Sequence, residues 1–183
     1  MEIYYTLAES DEDIRQIRNL MQANLKTKVT SEEAKDQGFV TIPYELATLQ
    51  RMNEVGKHVI AKRGDQVVAY ALTAFKTILP EIDMFAGLVE NIHQVSYAGK
   101  PLSESNYYVM GQICVSKECR GMGVFDGLYA HHRKVYGSQF DYLVTDISIH
   151  NTRSLAAHQR VGFEVIATFV DNTDTWKLVV LDL

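Results

Sequence analysis

The stretch Ile113-Cys114-Val115-Ser116-Lys117-Glu118-Cys119-Arg120-Gly121-Met122-Gly123-Val124-Phe125 carries the residue types and spacing best suited to chemistry. An apolar run with strand character ends, the chain turns through two glycines, and an amphipathic helical pattern starts at once. Such a turn leaves several backbone N–H groups unpaired and pointing one way, at the positive end of a helix dipole. In physical terms that is a phosphate site. A P-loop needs Gly-Lys-Ser/Thr at its end, which Gly123-Val124-Phe125 does not supply. A dinucleotide fingerprint needs glycine at its first, third and sixth positions; Gly121 and Gly123 match, but the sixth is Asp126 and Gly127 comes one residue late.

A second stretch, Asn151-Thr-Arg-Ser154-Leu-Ala-Ala-His158-Gln-Arg-Val-Gly162-Phe163, has Asn where a helix starts and Gly where it ends. Other groups offer less. His131 and His132 are adjacent on a helical segment, so their rings diverge, and no Cys/His set has zinc spacing; no metal is expected. Cys114, on a strand, reads as a small core residue and not as a nucleophile.

Taken together, the two stretches resemble the two signatures of the GNAT superfamily of acyl-CoA-dependent N-acyltransferases. The first is the coenzyme A pyrophosphate loop, Q/R-x-x-G-x-G/A after a central strand. Arg120 takes its leading position and Gly123 its glycine, while Phe125 stands where a small residue is usual. In the second, Asn151, Ser154, Gly162 and Phe163 fall on the pattern, and His158 occupies the position usually held by Tyr.

The resemblance implies an acyl-CoA cofactor, most often acetyl-CoA. Its pyrophosphate would sit on the N–H groups of Arg120, Gly121, Met122, Gly123, Val124 and Phe125. Its pantetheine arm would lie beside Ile113, Cys114 and Val115, in a gap opened by a bulge in that strand, with Asn151 near the thioester end. Ser154 belongs to the same cofactor side. The implied reaction is direct attack by a primary amine on the thioester in a ternary complex, with a strand N–H stabilising the oxyanion. His158 is the candidate acid for the leaving thiolate, and Asp146 is the best-placed carboxylate for the base. Two rival classes remain: a catalytically weak CoA-binding regulatory module, suggested by Phe125 and the missing Tyr, and a NAD(P)-dependent oxidoreductase, which the failed sixth glycine opposes. The acceptor, a small-molecule or peptide amine, is not legible.

These groups need a scaffold. The chain has 183 residues, 46% hydrophobic and 22% charged, with 11 Gly and 3 Pro, which suits one domain over 1–183 and argues against disorder or low complexity. Asp and Glu exceed Lys and Arg by 23 to 18, so the net charge is −5 and no basic stripe marks a nucleic-acid partner. No long apolar run suggests a membrane span, and the N-terminal residues show no signal peptide. Free thiols at Cys114 and Cys119 suit a reducing, cytoplasmic setting.

Along the chain, residues 2–7 read as a strand and 11–25 as a helix capped by Ser10 or Asp11, with Ile14, Ile17, Met21 and Leu25 on one face. Residues 26–42 are polar and give no firm element. Pro43 is expected to start a second helix through about Glu54. A hairpin follows, 58–62 and 66–75 around Arg63-Gly64-Asp65. Pro80 opens a helical pattern with Ile82, Phe85, Val89 and Ile92. Strands at 107–116, 141–148, 163–170 and 174–182 alternate with a helix from Val124, stopped by Gly137 as a left-handed cap, and with one from Asn151 to about Val161. That order predicts an α/β (α+β) fold, and the resemblance specifies a mixed, largely antiparallel sheet of about six or seven strands flanked by helices. Residues 76–105 exceed the superfamily's usual connection. As an insertion they are expected to shape the acceptor pocket or a homodimer contact.

Overall fold

A computed structural model of the chain describes residues 2–30, 32 and 38–183. Strand β1 (Ile3–Leu7) leads into α1 (Asp11–Ala23), then α2 (Leu46–Val55), the hairpin β2 (Val59–Arg63) and β3 (Gln66–Ala74), and α3 (Ala86–His93). A small hairpin, β4 (Ser96–Tyr97) and β5 (Lys100–Pro101), precedes the central strand β6 (Tyr107–Val115). Then come α4 (Val124–Tyr136), β7 (Tyr142–Ser148), α5 (Thr152–Arg160), β8 (Glu164–Val170) and β9 (Thr175–Asp182). Seven strands form one sheet in the order β1-β2-β3-β6-β7-β9-β8. Every neighbouring pair is antiparallel except β6 and β7, so the sheet is mixed and largely antiparallel.

Two features of that sheet position the site. The parallel pairing of β6 with β7 covers only Tyr107–Val109 against Tyr142–Val144, whereas β7 stays paired with β9 through Ser148. The later halves of β6 and β7 therefore part into a wedge. On the other side of β6, the register to β3 moves from Ala71↔Ile113 to Thr73↔Met110, which leaves one extra residue on β6 at Gly111–Gln112. That is the β-bulge expected in this strand; bulges bend a strand and re-aim its side chains.

Each face of the sheet is buried. One apolar cluster joins Ile14, Ile17 and Met21 of α1, Leu49 and Met52 of α2, and Phe85, Leu88 and Ile92 to Tyr70, Leu72 and Val109 of the sheet. The other joins Val124, Leu128, Tyr129 and Tyr136 of α4 and Phe163 to Ala69, Tyr108, Leu143 and Ile147. Helix α1 starts at a capping box in which Ser10 Oγ accepts from Asp13 N–H and the Asp13 carboxylate accepts from Ser10 N–H, each at 3.1 Å.

Three local expectations need correcting. Helix α2 begins at Leu46, not at Pro43; the residues between stay extended so that Tyr44 turns into the core, where it is fully buried. The Pro80 segment forms two 3₁₀ turns, Leu79–Glu81 and Asp83–Phe85, before α3 starts at Ala86. Gly137 keeps right-handed dihedrals (φ −64°) because the chain goes on turning: Gln139 and Phe140 both donate to the Tyr136 carbonyl.

Candidate active site

From the end of β6 the chain passes a 3₁₀ turn at Lys117–Cys119 and reaches Arg120. Gly121 and Gly123 then both adopt left-handed dihedrals, φ +73° and +76°. Side chains rarely tolerate that conformation, which is why glycine stands at both positions. Among the described residues, the backbone N–H groups of Gly121, Met122, Gly123, Val124, Phe125 and Asp126 find no backbone acceptor; pairing resumes with Gly127 N–H on Gly123 C=O. A Cβ added at either glycine would meet nothing within 4 Å, so the surface of the turn is open there. Six free donors at the start of a 13-residue helix make an anion cradle.

A cavity of about 430 Å³ lies beside the cradle, lined by the end of β6 and the start of α5. Ile113, Cys114 and Val115 line it from β6, and Asn151 and Ser154 from the start of α5. Gly121, Gly123, Val124 and Phe125 form its mouth. Of the cofactor residues expected from sequence, only the Met122 side chain stays off the lining; it is exposed. Burial pushes the Cys114 thiol up to about 12, the nearby Arg120 lowering it only in part, so at neutral pH it is a protonated wall group. Among the described residues no group of His, Cys, Asp and Glu is arranged to hold a metal.

Two expected cofactor residues also hold the scaffold. Arg120 lines the cavity, but its guanidinium points inward: Nε donates to Val115 C=O at 3.2 Å and a terminal nitrogen to Asn24 Oδ1 at 2.7 Å. It ties the end of β6 to the C-terminal cap of α1. Asn151 caps α5, its Oδ1 accepting from Ser154 N–H at 3.3 Å, and its Nδ2 donates to Phe39 C=O at 3.1 Å. Phe39 belongs to a strap, Gly38–Val40, whose Val40 bridges Leu25 and which also lines the cavity. Sequence reasoning missed Asn24, which the helical pattern over 11–25 absorbs, and it missed this strap because residues 26–42 carry no periodic signal. Asn151→Ala is expected to cost about 1 kcal/mol through the cap alone. Chemical denaturation reads that loss, and a midpoint equal to the parent's would remove Asn151 from the framework.

His158 and Phe125, the two departures from the family pattern, touch each other. Their rings meet edge to face with centroids 5.1 Å apart, and Tyr129 and Phe163 complete the cluster. The smaller ring at 158 leaves room for the larger one at 125. His158 is buried and off the cavity lining. Its Nδ1 lies 2.8 Å from the Ser154 carbonyl, which only accepts, so Nδ1 carries the proton and Nε2 accepts from Tyr129 Oη at 2.7 Å. Burial holds its pKa down near 4, so the ring is neutral at physiological pH. Ser154 Oγ lies 3.2 Å from the same Nδ1–H, which fixes the hydroxyl as acceptor there and leaves its own O–H free beside the cavity.

Asp146 lies on the part of β7 that has left β6. It does not line the cavity. Burial, with the Asp171 charge adding to it, raises its carboxyl to about 6, and its charge is felt at Tyr44 on the α1–α2 side of the sheet. The carboxylate thus lies towards Tyr44 and apart from the residues that line the cavity.

Comparison with known proteins agrees with this architecture. No protein-family model matches the sequence, and no curated protein matches it either. Solved structures do. The ribosomal-protein-S18-alanine N-acetyltransferase from Escherichia coli superposes with a TM-score of 0.64 at 12% identity, over 99% of this chain and 94% of that one. A GNAT-family acetyltransferase from Streptococcus agalactiae gives 0.67 at 13% identity, over 99% and 95%. A chain of the NatC complex bound to Gag peptide and CoA gives 0.67 at 14%, over 100% and 99%. The chain has the fold of the GNAT acetyltransferases.

Proposed function

We propose that the protein transfers an acetyl group from acetyl-CoA to a primary amine, both substrates being bound at once. The observation that carries this reading is the row of six free N–H donors at Gly121–Asp126, beside a cavity lined by the end of β6, which has by then parted from β7. The donors suit a pyrophosphate, and the wedge suits a flexible arm that adds to a strand edge. A structural neighbour described as binding CoA supports the same cofactor.

In this reading Gly121–Asp126 hold the pyrophosphate, and Ile113, Cys114 and Val115 flank the arm. Asp146, with a carboxyl near 6, takes the proton that the attacking amine must lose. The freed edge of β6 beside the bulge offers backbone N–H to the developing oxyanion. Ser154 donates its free O–H to the leaving sulfur, and solvent completes the protonation. His158 is a positioning residue that acts through Ser154. Ser154→Ala and His158→Phe are each expected to lower kcat about tenfold, the usual worth of one hydrogen bond to a charged group. A double-mutant cycle tests the assignment: His158→Phe should cost little more in kcat once Ser154 is Ala. Additive effects would mean that His158 acts separately.

The function itself is tested by titrating acetyl-CoA, NADPH and ATP, then by measuring thiol release over a panel of amines. Binding of acetyl-CoA alone, with turnover, supports the reading. Preference for NADPH would contradict it, and CoA binding without turnover would favour a regulatory module.

A further inference from the structure

We propose that Arg160 is a pyrophosphate-binding residue and that Asp126 is the phosphate's rival for it, so that binding exchanges the Arg160–Asp126 ion pair for one between Arg160 and phosphate. This rests on the coenzyme A reading above. Three arginines line the cavity beside the cradle, Arg120, Arg153 and Arg160, against a single acid among the described residues, Asp126. In a chain whose Asp and Glu outnumber Lys and Arg by 23 to 18, that local excess marks a place for an anion. Arg120 is spent on Val115 and Asn24. Arg160 is spent on Asp126: one terminal nitrogen donates to Oδ1 at 2.5 Å, and Nε donates to Oδ2 at 3.4 Å.

Asp126 is the third residue of α4, and its own N–H is the last donor of the cradle. Its carboxylate therefore stands in the first turn, at the positive end of the helix dipole, where a phosphate also belongs. Two anions there repel each other, and Arg160, which lines the same cavity, is a cation that can serve either. Its guanidinium carbon lies 5.9 Å from the centre of the Phe125 ring, and the Phe125 N–H is one of the cradle donors. Arg160 ends α5 and Asp126 stands at the start of α4, so the pair bridges the two helices beside the cavity. Magnitudes decide which partner the arginine keeps. The two side chains are 53% and 47% exposed, and an ion pair that open to water is worth at most about fivefold in an equilibrium. An arginine contact to a pyrophosphate is worth about tenfold or more, because the guanidinium fork matches phosphate oxygens. The phosphate wins the exchange, and the carboxylate subtracts from the affinity that the cradle would otherwise reach.

Calorimetric titration of CoA on the parent, Arg160→Gln, Asp126→Asn and the double variant tests this. Both side chains are half-exposed, so all four proteins should fold alike. Arg160→Gln should weaken CoA by about tenfold, and dephospho-CoA, which lacks the ribose phosphate but keeps the pyrophosphate, by the same factor. Asp126→Asn should tighten CoA by about two- to fivefold, because the rival charge is gone. The double variant separates contact from shielding: once Asp126 is Asn, Arg160→Gln should still cost about tenfold. A cost that vanishes there means that Arg160 only neutralises Asp126, and overturns the proposal. An Asp126→Asn variant that binds CoA no more tightly than the parent overturns it too, since the pair is then a brace between helices. So does a loss seen with CoA and absent with dephospho-CoA. Failure of CoA to bind the parent overturns the cofactor reading and this inference with it; CoA binding that Arg160→Gln leaves unchanged overturns this inference alone.

Discussion

Gly123→Val is expected to weaken acetyl-CoA binding by about a hundredfold or more while leaving the fold intact. At φ +76° a β-branched residue is strained by roughly 1–3 kcal/mol. Relief of that strain rotates the neighbouring peptides, so N–H groups of the cradle leave the anion, at about 1.5–3 kcal/mol for each bond to a charged group. Two such losses already exceed the 2.8 kcal/mol that a hundredfold requires, at about 1.4 kcal/mol per decade. The new Cβ would meet no protein atom within 4 Å, so far-UV circular dichroism should match the parent. Calorimetric titration gives the affinity, and parent-like binding by the valine variant would show that the loop does not hold the cofactor.

Asp146→Asn is expected to lower kcat by about 10²- to 10⁴-fold, the usual worth of a general base, and at the same time to raise the melting temperature at pH 7.5. The carboxyl sits near 6 in the folded protein because burial and Asp171 disfavour its charge. Unfolded, it titrates near an ordinary aspartate value of about 3.9. Between those two values the folded state binds the extra proton, so stability falls as pH rises through that window and the penalty is complete above it. Asparagine carries no such penalty. Its stability advantage should therefore shrink as pH falls from about 6 to about 4 and be gone at lower pH. In the parent, kcat/KM should climb through a limb near pH 6 that the variant lacks. Unchanged turnover in Asp146→Asn, with chemistry limiting, would leave the base to another group.

Much of this was legible because it is local. Two glycines between a buried strand and an amphipathic helix fix a donor-rich turn whatever surrounds them, and alternating strands and helices with terminal hairpins fix a mixed sheet. What escaped is long-range. That Arg120 would spend its guanidinium on Asn24, 96 positions away, is invisible to any window of sequence. Phe125 and His158 look like two unrelated departures until the fold puts their rings in contact. His158 was expected to reach for the cofactor sulfur from its place two turns into a helix, but spacing does not report burial, and the ring faces Tyr129 instead. The Pro80 segment shows a helical pattern, yet no window of sequence reports that its Phe85 ring packs beside Gly111, on a strand more than twenty residues on.

The most direct test of a coenzyme A site at this turn is an amide ¹⁵N–¹H titration of the protein with CoA. The resonances of Gly121–Asp126 should move most, those of Ile113–Val115 and Asn151–Ser154 should move with them, and all should saturate together. Saturable CoA binding that shifts residues elsewhere and leaves Gly121–Asp126 in place would contradict it.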